Sequence, residues 1–120
     1  MMIARLGHWE YDVESETFIF SDSFYELFRT TVVAQGGYQM TGPEYAARFL
    51  HPEDAHIVAD ELDRALAAPS ESYHSAVEHQ VRFADGEPGT ISVKIFVVKD
   101  ELGSTVKLYG VNQDITNHRG

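Results

Sequence analysis

The sequence contains no cysteine, and it has no hydrophobic run long enough to cross a membrane. The missing thiols exclude disulfides, thiolate metal sites and cofactor adducts that form through a thiolate. They also fit a reducing compartment, so the cytoplasm is the expected location. A membrane-spanning helix needs about 18 or more consecutive apolar residues, and the opening "MMIARLGHW" lacks the apolar stretch and cleavage site of a signal peptide. Direct membrane insertion is therefore not expected.

Basic residues are also scarce. Nine Lys and Arg residues stand against 19 Asp and Glu residues, which gives a formal net charge of −10 at pH 7. Proteins bind nucleic-acid backbones largely by replacing counterions with positive side chains, so this acidic chain is not expected to bind nucleic acid. The hydrophobic fraction of 43% is high enough for a packed interior, and 120 residues fit a single domain over 1–120.

The spacing of apolar residues changes along the chain and predicts the order of its elements. Strand-like alternation in "GHWEYDV" and "TFIFSD", separated by a polar turn, predicts a hairpin. A helix that begins at Ser21 or Asp22 should follow, then a loop over 30–41 and a short helix in "GPEYAARFL". A longer helix is predicted from Pro52 to about Ala68. Three longer strands are predicted at 73–83, 89–100 and 104–114.

The long helix is predicted to be amphipathic. The residues expected on its core face are Ala55, Val58, Leu62, Ala65 and Leu66. The acidic residues expected to point mostly to water are Glu53, Asp54, Asp60, Glu61 and Asp63. The helix should therefore cover the sheet with one face only.

The element order β-β-α-α-α-β-β-β predicts an α+β fold, in which a five-stranded antiparallel sheet carries the helices on one face. In "TISVKIFVV", Phe96 and Val98 place apolar side chains on the face opposite to Val93 and Ile95. An apolar outer face of a sheet is expected to be covered by another segment of the chain or by another subunit. We expect a weak homodimer through this face, with help from the N-terminal segment "MIARL".

Four segments, in order along the chain, carry a resemblance to a known family. "LGHWEYD" resembles an opening Gly-x-Trp strand, and "FSDSFYELF" resembles a second strand that runs into a helix. "FLHPEDAHIV" resembles the His-Pro-x-Asp opening of a long helix, and "LYGVNQDITNHR" resembles a last strand with an Asp-Ile-Thr exit. Together they resemble the PAS (Per-Arnt-Sim) sensory domain, in the variant common in bacterial histidine kinases and diguanylate cyclases. The resemblance implies a non-enzymatic sensor that responds to a small ligand or partner and relays the response to a C-terminal effector of those kinds.

The end of the sequence predicts a joint to a further segment. Asp114 and Thr116 follow a strand and are residue types that begin helices. We therefore expect the chain to be a fragment of a longer protein, with the start of an output linker at about 114–120. By the resemblance, the signal relay would consist of Asp114, Ile115, Thr116 and Arg119.

A small apolar ligand pocket is expected between the sheet and the helices. Its candidate lining residues are Phe20, Phe24, Phe28, Val58, Leu62, Val93, Ile95 and Tyr109. The alternative is that these side chains fill the core completely, which would make the domain a ligand-free dimerisation module. Sequence alone leaves both interpretations open.

No bound cofactor is predicted. A flavin–cysteinyl adduct is excluded because the chain has no thiol. Haem is not expected, since haem ligands in PAS domains more usually lie on the long helix, where His56 should face solvent. His74 and His79, on a predicted strand, are the other histidines considered.

The segment "HPEDAH" supports an alternative interpretation as a small α+β enzyme. His51, Asp54 and His56 could together supply nitrogen and oxygen ligands or a His/carboxylate site. However, Pro52 suits the first turn of a helix, and acidic residues favour a helix N-terminus. The helix-start interpretation is preferred, so no catalytic residue and no metal ligand is predicted.

Overall fold

The computed structural model describes residues 5–116, which form six strands and four helices. The strands are β1 (Leu6–Asp12), β2 (Thr17–Phe20), β3 (Gln39–Thr41), β4 (His74–Arg82), β5 (Pro88–Lys99) and β6 (Thr105–Asp114). The helices are α1 (Asp22–Leu27), α2 (Val32–Gln35), α3 (Gly42–Phe49) and α4 (Ala55–Leu66). None of these helices has the length and apolar character needed to span a membrane.

All six strands belong to one antiparallel sheet in the order β3-β2-β1-β6-β5-β4. The first and last strands pair at its centre, where Trp9 lies opposite Gly110. Alternate residues of each strand point to the helices, as the period of two requires. The predicted α+β class, with an antiparallel sheet and helices on one face, is confirmed.

The sheet has six strands rather than the predicted five, because the predicted loop over 30–41 contains α2 and β3. Thr31 caps α2 by accepting a hydrogen bond from the Ala34 backbone N–H at 3.2 Å, and Gly36 ends the helix at φ 85°. β3 pairs with β2 and buries only Met40. Three strand residues are too few to give a recognisable alternation, so the pattern could not reveal it.

α4 begins at Ala55, three residues later than predicted, and ends at Leu66. The Asp54 side chain does not cap the helix. Its Oδ2 instead accepts a hydrogen bond from the Gln80 backbone N–H at 2.7 Å. The start of α4 is therefore fixed to β4.

The core has an aromatic half and an aliphatic half. Under β1 and β2, the rings of Phe20 and Phe24 stack with centroids 4.0 Å apart, and Phe28 lies 4.7 Å from Phe24. Under β4, β5 and β6, the partly buried Val58 and Leu62 of α4 pack against the core. The side chains that could form a site lie where the two halves meet.

Candidate functional site

A cavity of about 20 Å³ lies between the inner face of the sheet and helices α3 and α4. Its lining residues are Trp9, Phe18, Phe20, Tyr45, Val58, Glu61, Leu62, Val77, His79, Val93, Ile95 and Asn112. A space of roughly 10–15 Å³ holds one water molecule, so this cavity admits one oxygen-sized group.

Five of the eight residues predicted to line a pocket lie on this cavity: Phe20, Val58, Leu62, Val93 and Ile95. Phe24 and Phe28 have no exposed surface and belong to the aromatic half of the core, away from the cavity. The placement of Tyr109 was wrong, because its ring is 42% exposed on the outer face of the sheet. Its neighbours Leu108 and Gly110 take the inward positions of β6, and alternation then directs Tyr109 outward.

Asn112 is a buried polar residue on the cavity. Its side chain is 1% exposed, and its Oδ1 accepts a hydrogen bond from the Trp9 indole N–H at 2.8 Å. An indole N–H can only donate, so this contact assigns the amide orientation. Within residues 5–116 no acceptor meets the full geometry of a hydrogen bond from the Asn112 Nδ2. The Tyr45 hydroxyl lies on the same cavity, and its interaction with Asn112 opposes in part the rise in the pKa of Tyr45 that burial causes, so the chain itself offers an oxygen to this donor.

His79 presents an unpartnered acceptor to the same cavity. Its Nδ1 lies 3.2 Å from the Gln80 carbonyl oxygen, which can only accept. Nδ1 therefore carries the proton of the neutral ring, and Nε2 carries a lone pair. Burial lowers the pKa of His79, and the Gln80 carbonyl and the Asp54 carboxylate offset this only in part. No residue in the described part of the chain hydrogen-bonds to Nε2.

Glu61 is a third buried polar residue on the cavity, and the prediction that it faces water was wrong. It is 4% exposed, and its carboxylate accepts hydrogen bonds from Arg64 at 2.8 Å and from the Tyr73 hydroxyl at 3.2 Å. Burial raises the pKa of Glu61, but the Ser75 hydroxyl, Arg64 and Tyr73 together outweigh it and lower the pKa below its usual value. Glu61 is therefore ionised at neutral pH and adds negative charge beside the cavity.

The spacing of residues along α4 indicates that Glu61 is buried. Sorting the helix residues into acidic and apolar types does not detect this, because it ignores their spacing. Glu61 lies three residues after Val58 and four before Ala65, which places it on the apolar side of α4. His79 similarly alternates with Val77 and Val81 on β4. Polar residues at core positions of both elements could have predicted a polar interior site.

His51, Asp54 and His56 do not converge in the structure. The His51 Nδ1 accepts a hydrogen bond from the Glu53 backbone N–H at 3.2 Å, whereas Asp54 binds Gln80 and His56 is exposed. Among residues 5–116, no three His, Asp or Glu side chains are grouped as a metal site would require. The geometry here is that of a turn that leads into α4.

The predicted relay residues lie where β6 ends, against the start of β5. Asp114 Oδ1 accepts hydrogen bonds from the Thr116 backbone N–H at 2.9 Å and from the Thr116 hydroxyl at 2.6 Å. The Thr116 hydroxyl in turn accepts from the Thr90 backbone N–H at 3.0 Å, and the Ile115 N–H donates to the Thr90 carbonyl at 2.9 Å. The chain exit is thus tied to β5. Arg119 lies outside the described residues.

Comparison with protein families gives one match, to the family described as "PAS fold", over residues 36–112. This range runs from Gly36, which ends α2, to Asn112, and it contains nine of the twelve residues that line the cavity. No curated protein matches the chain.

Several solved structures share the fold. A sensory box histidine kinase/response regulator from Burkholderia thailandensis is 19% identical, with a TM-score of 0.71 over 94% of this chain and 79% of that chain. The N-terminal domain of a diguanylate cyclase with a PAS/PAC sensor from Marinobacter aquaeolei is 20% identical, with a TM-score of 0.73 over 92% and 95% of the two chains. An RNA-binding light-oxygen-voltage receptor is 21% identical, with a TM-score of 0.74 over 96% of this chain and 31% of the other. At these identities, the likeness is one of fold.

Proposed function

We propose that this chain, which belongs to the PAS family, is a non-enzymatic sensory domain of a cytoplasmic signalling protein. It binds a small ligand between sheet and helices and passes the change to an effector that follows it, such as a histidine kinase or diguanylate cyclase. The observation that carries this proposal is the interior cavity, whose wall includes the buried polar side chains of Glu61, His79 and Asn112. A completely packed dimerisation module would have no reason to retain them.

The size of the cavity supports a small ligand rather than a large cofactor. At about 20 Å³ it is far too small for a flavin or a haem without extensive rearrangement of the core. A flavin–cysteinyl adduct is excluded in any case, because the sequence has no cysteine.

The relay would run through Asp114 and Thr116. These residues connect the end of β6 to Thr90 of β5, so a shift between the two strands would change the direction in which the chain leaves the sheet. Two arrangements that differ by only a few kcal/mol are enough for such a switch.

Replacing Asp114 by alanine in the longer protein should abolish the response of effector output to stimulus. The substitution removes both hydrogen bonds to Thr116 and should lower the free energy of unfolding by about 1 kcal/mol, as loss of a cap does. The measurement is effector output with and without stimulus, together with thermal unfolding.

Asp100→Ala is the matched control for this test. Asp100 likewise accepts two hydrogen bonds, both from backbone N–H groups, those of Leu102 and Ser104 at 2.9 Å, but it lies in the loop between β5 and β6. It should lose similar stability and keep the response. If Asp114→Ala folds and responds like wild type, the relay does not pass through Asp114 and the proposed function fails in that part.

The outer face of the sheet is the proposed surface for a weak homodimer. Phe96 and Tyr109 pair there across β5 and β6, and their rings stack with centroids 4.9 Å apart. Both side chains lie on the face of the sheet that the helices do not cover. Exposed aromatic pairs of this kind are typical of interfaces.

Tyr109→Glu should weaken the dimer at least about tenfold, because a partner would have to bury the new charge. The measurement is sedimentation velocity over a range of protein concentrations. Val33→Glu serves as control, since Val33 is 88% exposed on α2, away from the sheet. A strictly monomeric wild type at high concentration, or an unchanged dimer for Tyr109→Glu, would reject this surface.

A further inference from the structure

β4 lies at one edge of the sheet, where only β5 pairs with it. The Gln80 N–H donates to the Asp54 carboxylate at 2.7 Å, and the Gln80 carbonyl accepts from the His51 N–H at 3.5 Å. Both backbone groups of Gln80 therefore point away from β5. At this position the segment between α3 and α4 covers the edge.

The same edge is uncovered from His74 to Glu78. The register between β4 and β5 has no shift, and backbone groups point alternately to the two sides of an antiparallel strand. His74, Ala76 and Glu78 therefore share the direction of Gln80. In the part of the chain that the structure describes, their N–H and C=O groups form no hydrogen bond with a backbone segment outside the sheet. At its N-terminal end this open stretch is bounded by the turn over residues 70–73.

The side chains of the open stretch are complementary to those of a second, antiparallel copy. Pairing around Ala76 places Ala76 opposite the partner's Ala76, and it places His74 opposite the partner's Glu78 at both ends. An imidazole N–H can donate to a carboxylate, and cross-strand pairs of this kind stabilise antiparallel strands. The side chains of His74, Ala76 and Glu78 are all exposed, so they are accessible to a second copy.

We propose that two copies of this domain pair along the open edge of β4, which joins their sheets through about six backbone hydrogen bonds. Such a contact is isologous, because the same stretch of each copy binds the same stretch of the other. The inference goes beyond the proposed function, since the edge of β4 is a different surface from the outer face that carries Phe96 and Tyr109.

The pairing is weak in the isolated domain. The open stretch is too short to bury the roughly 1,200 Å² of a stable interface, and each copy carries a formal net charge of −10. We therefore expect a Kd of about 1 mM. In a longer protein that holds two copies together, the effective concentration reaches this range and the pair becomes populated.

Hydrogen exchange at the Ala76 amide tests the proposal in the wild-type domain. In a single copy this N–H points to solvent and should exchange fast, whereas in the pair it donates to the carbonyl of the partner's Ala76. Between about 0.05 and about 2 mM protein, a Kd of about 1 mM should slow its exchange about twofold. A rate that does not depend on protein concentration would overturn the inference and leave the edge to solvent or to a strand of another protein.

The Gln39 amide is an internal control at the opposite edge of the sheet. The Phe20 N–H donates to the Tyr38 carbonyl, so the backbone groups of the next residue, Gln39, point away from β2. Its exchange rate should be the same at both protein concentrations. Equal slowing at Gln39 and Ala76 would indicate non-specific association and overturn the inference.

Tyr109→Glu separates the edge from the outer face. This variant should weaken the proposed outer-face dimer and keep the twofold slowing at Ala76, because Tyr109 lies on β6 and not on the edge strand. Loss of the slowing in Tyr109→Glu would assign the protection to the outer face and overturn the inference, while it would leave the proposed dimer surface in place.

A charge swap tests the register. His74→Glu places a carboxylate opposite the partner's Glu78, and this like-charge pair should abolish the slowing at Ala76. Adding Glu78→His to the same chain restores an imidazole opposite a carboxylate at both ends and should restore the slowing. Unchanged slowing in the single variant, or no recovery in the double variant, would overturn the pairing around Ala76.

Discussion

Replacing Gly110 by alanine should lower the free energy of unfolding by about 3 kcal/mol, at the upper end of what overpacking a core usually costs. Gly110 lies opposite Trp9 in the central strand pair, and the indole lies directly over it. A Cβ atom at this position would overlap the indole ring. The indole cannot easily move away, because it donates to Asn112 and packs edge-on against Phe18 with centroids 5.5 Å apart.

The control for this experiment is Gly42→Ala, at the first residue of α3. A Cβ atom on Gly42 would meet only the Phe18 ring, at an ordinary distance of 3.9 Å. Alanine is also the better helix former, so its effect should lie within about 1 kcal/mol of zero. Chemical denaturation of both variants gives the comparison. If the Gly110→Ala variant is as stable as Gly42→Ala, then the Trp9 indole moves away from the added Cβ atom at little cost, and the prediction is wrong.

The central pairing of Trp9 with Gly110 also shows how far the sequence could predict this fold. The alternation of both strands predicts which residues face the helices, and the order of elements predicts the antiparallel sheet. Neither pattern predicts that β1 and β6 are neighbours, because pairing partners far apart in sequence are chosen by packing of the whole domain. β3 was not predicted for a different reason: a strand of three residues is too short to show an alternation of apolar and polar side chains.

The site was harder to predict than the fold. Apolar residues such as Val93 and Ile95 could be assigned to the interior by their spacing. Glu61 and His79 occupy the same kind of position, but the charge of Glu61 indicated a side chain that points to water, and His79 was considered only as a haem ligand. Only the structure shows that Trp9 donates to the Asn112 amide, that the Gln80 carbonyl bonds to the His79 ring, and that both side chains line one cavity.

The histidine in this site should make the domain lose stability as the pH falls below about 6.5. Burial lowers the pKa of His79 in the folded state from its ordinary value of 6.5. In the unfolded chain the same ring binds a proton below that pH, so the unfolded state carries more protons and acid favours unfolding. Between the two pKa values the loss approaches about 1.4 kcal/mol per pH unit.

Glu61 affects the same measurement in a separate window. Its pKa is lowered in the folded state, so its contribution is present above its ordinary pKa of 4.5 and is lost as the pH falls through the folded value. Among the other groups near His79, Asp54 favours its protonation, and burial raises the pKa of Tyr45, which stays neutral throughout. The range from pH 5.5 to 7.5 therefore isolates the histidine from these neighbours.

Denaturant unfolding of wild type should show a loss of stability between pH 6.5 and pH 5.5 that exceeds the loss between pH 7.5 and pH 6.5. His79→Phe removes the titrating ring and should flatten the curve in this range. His74→Phe, which removes an exposed histidine from the same strand, should leave the loss intact. If His79→Phe retains the full loss between pH 6.5 and 5.5, then His79 titrates alike in both states and is not held neutral by burial in the cavity wall.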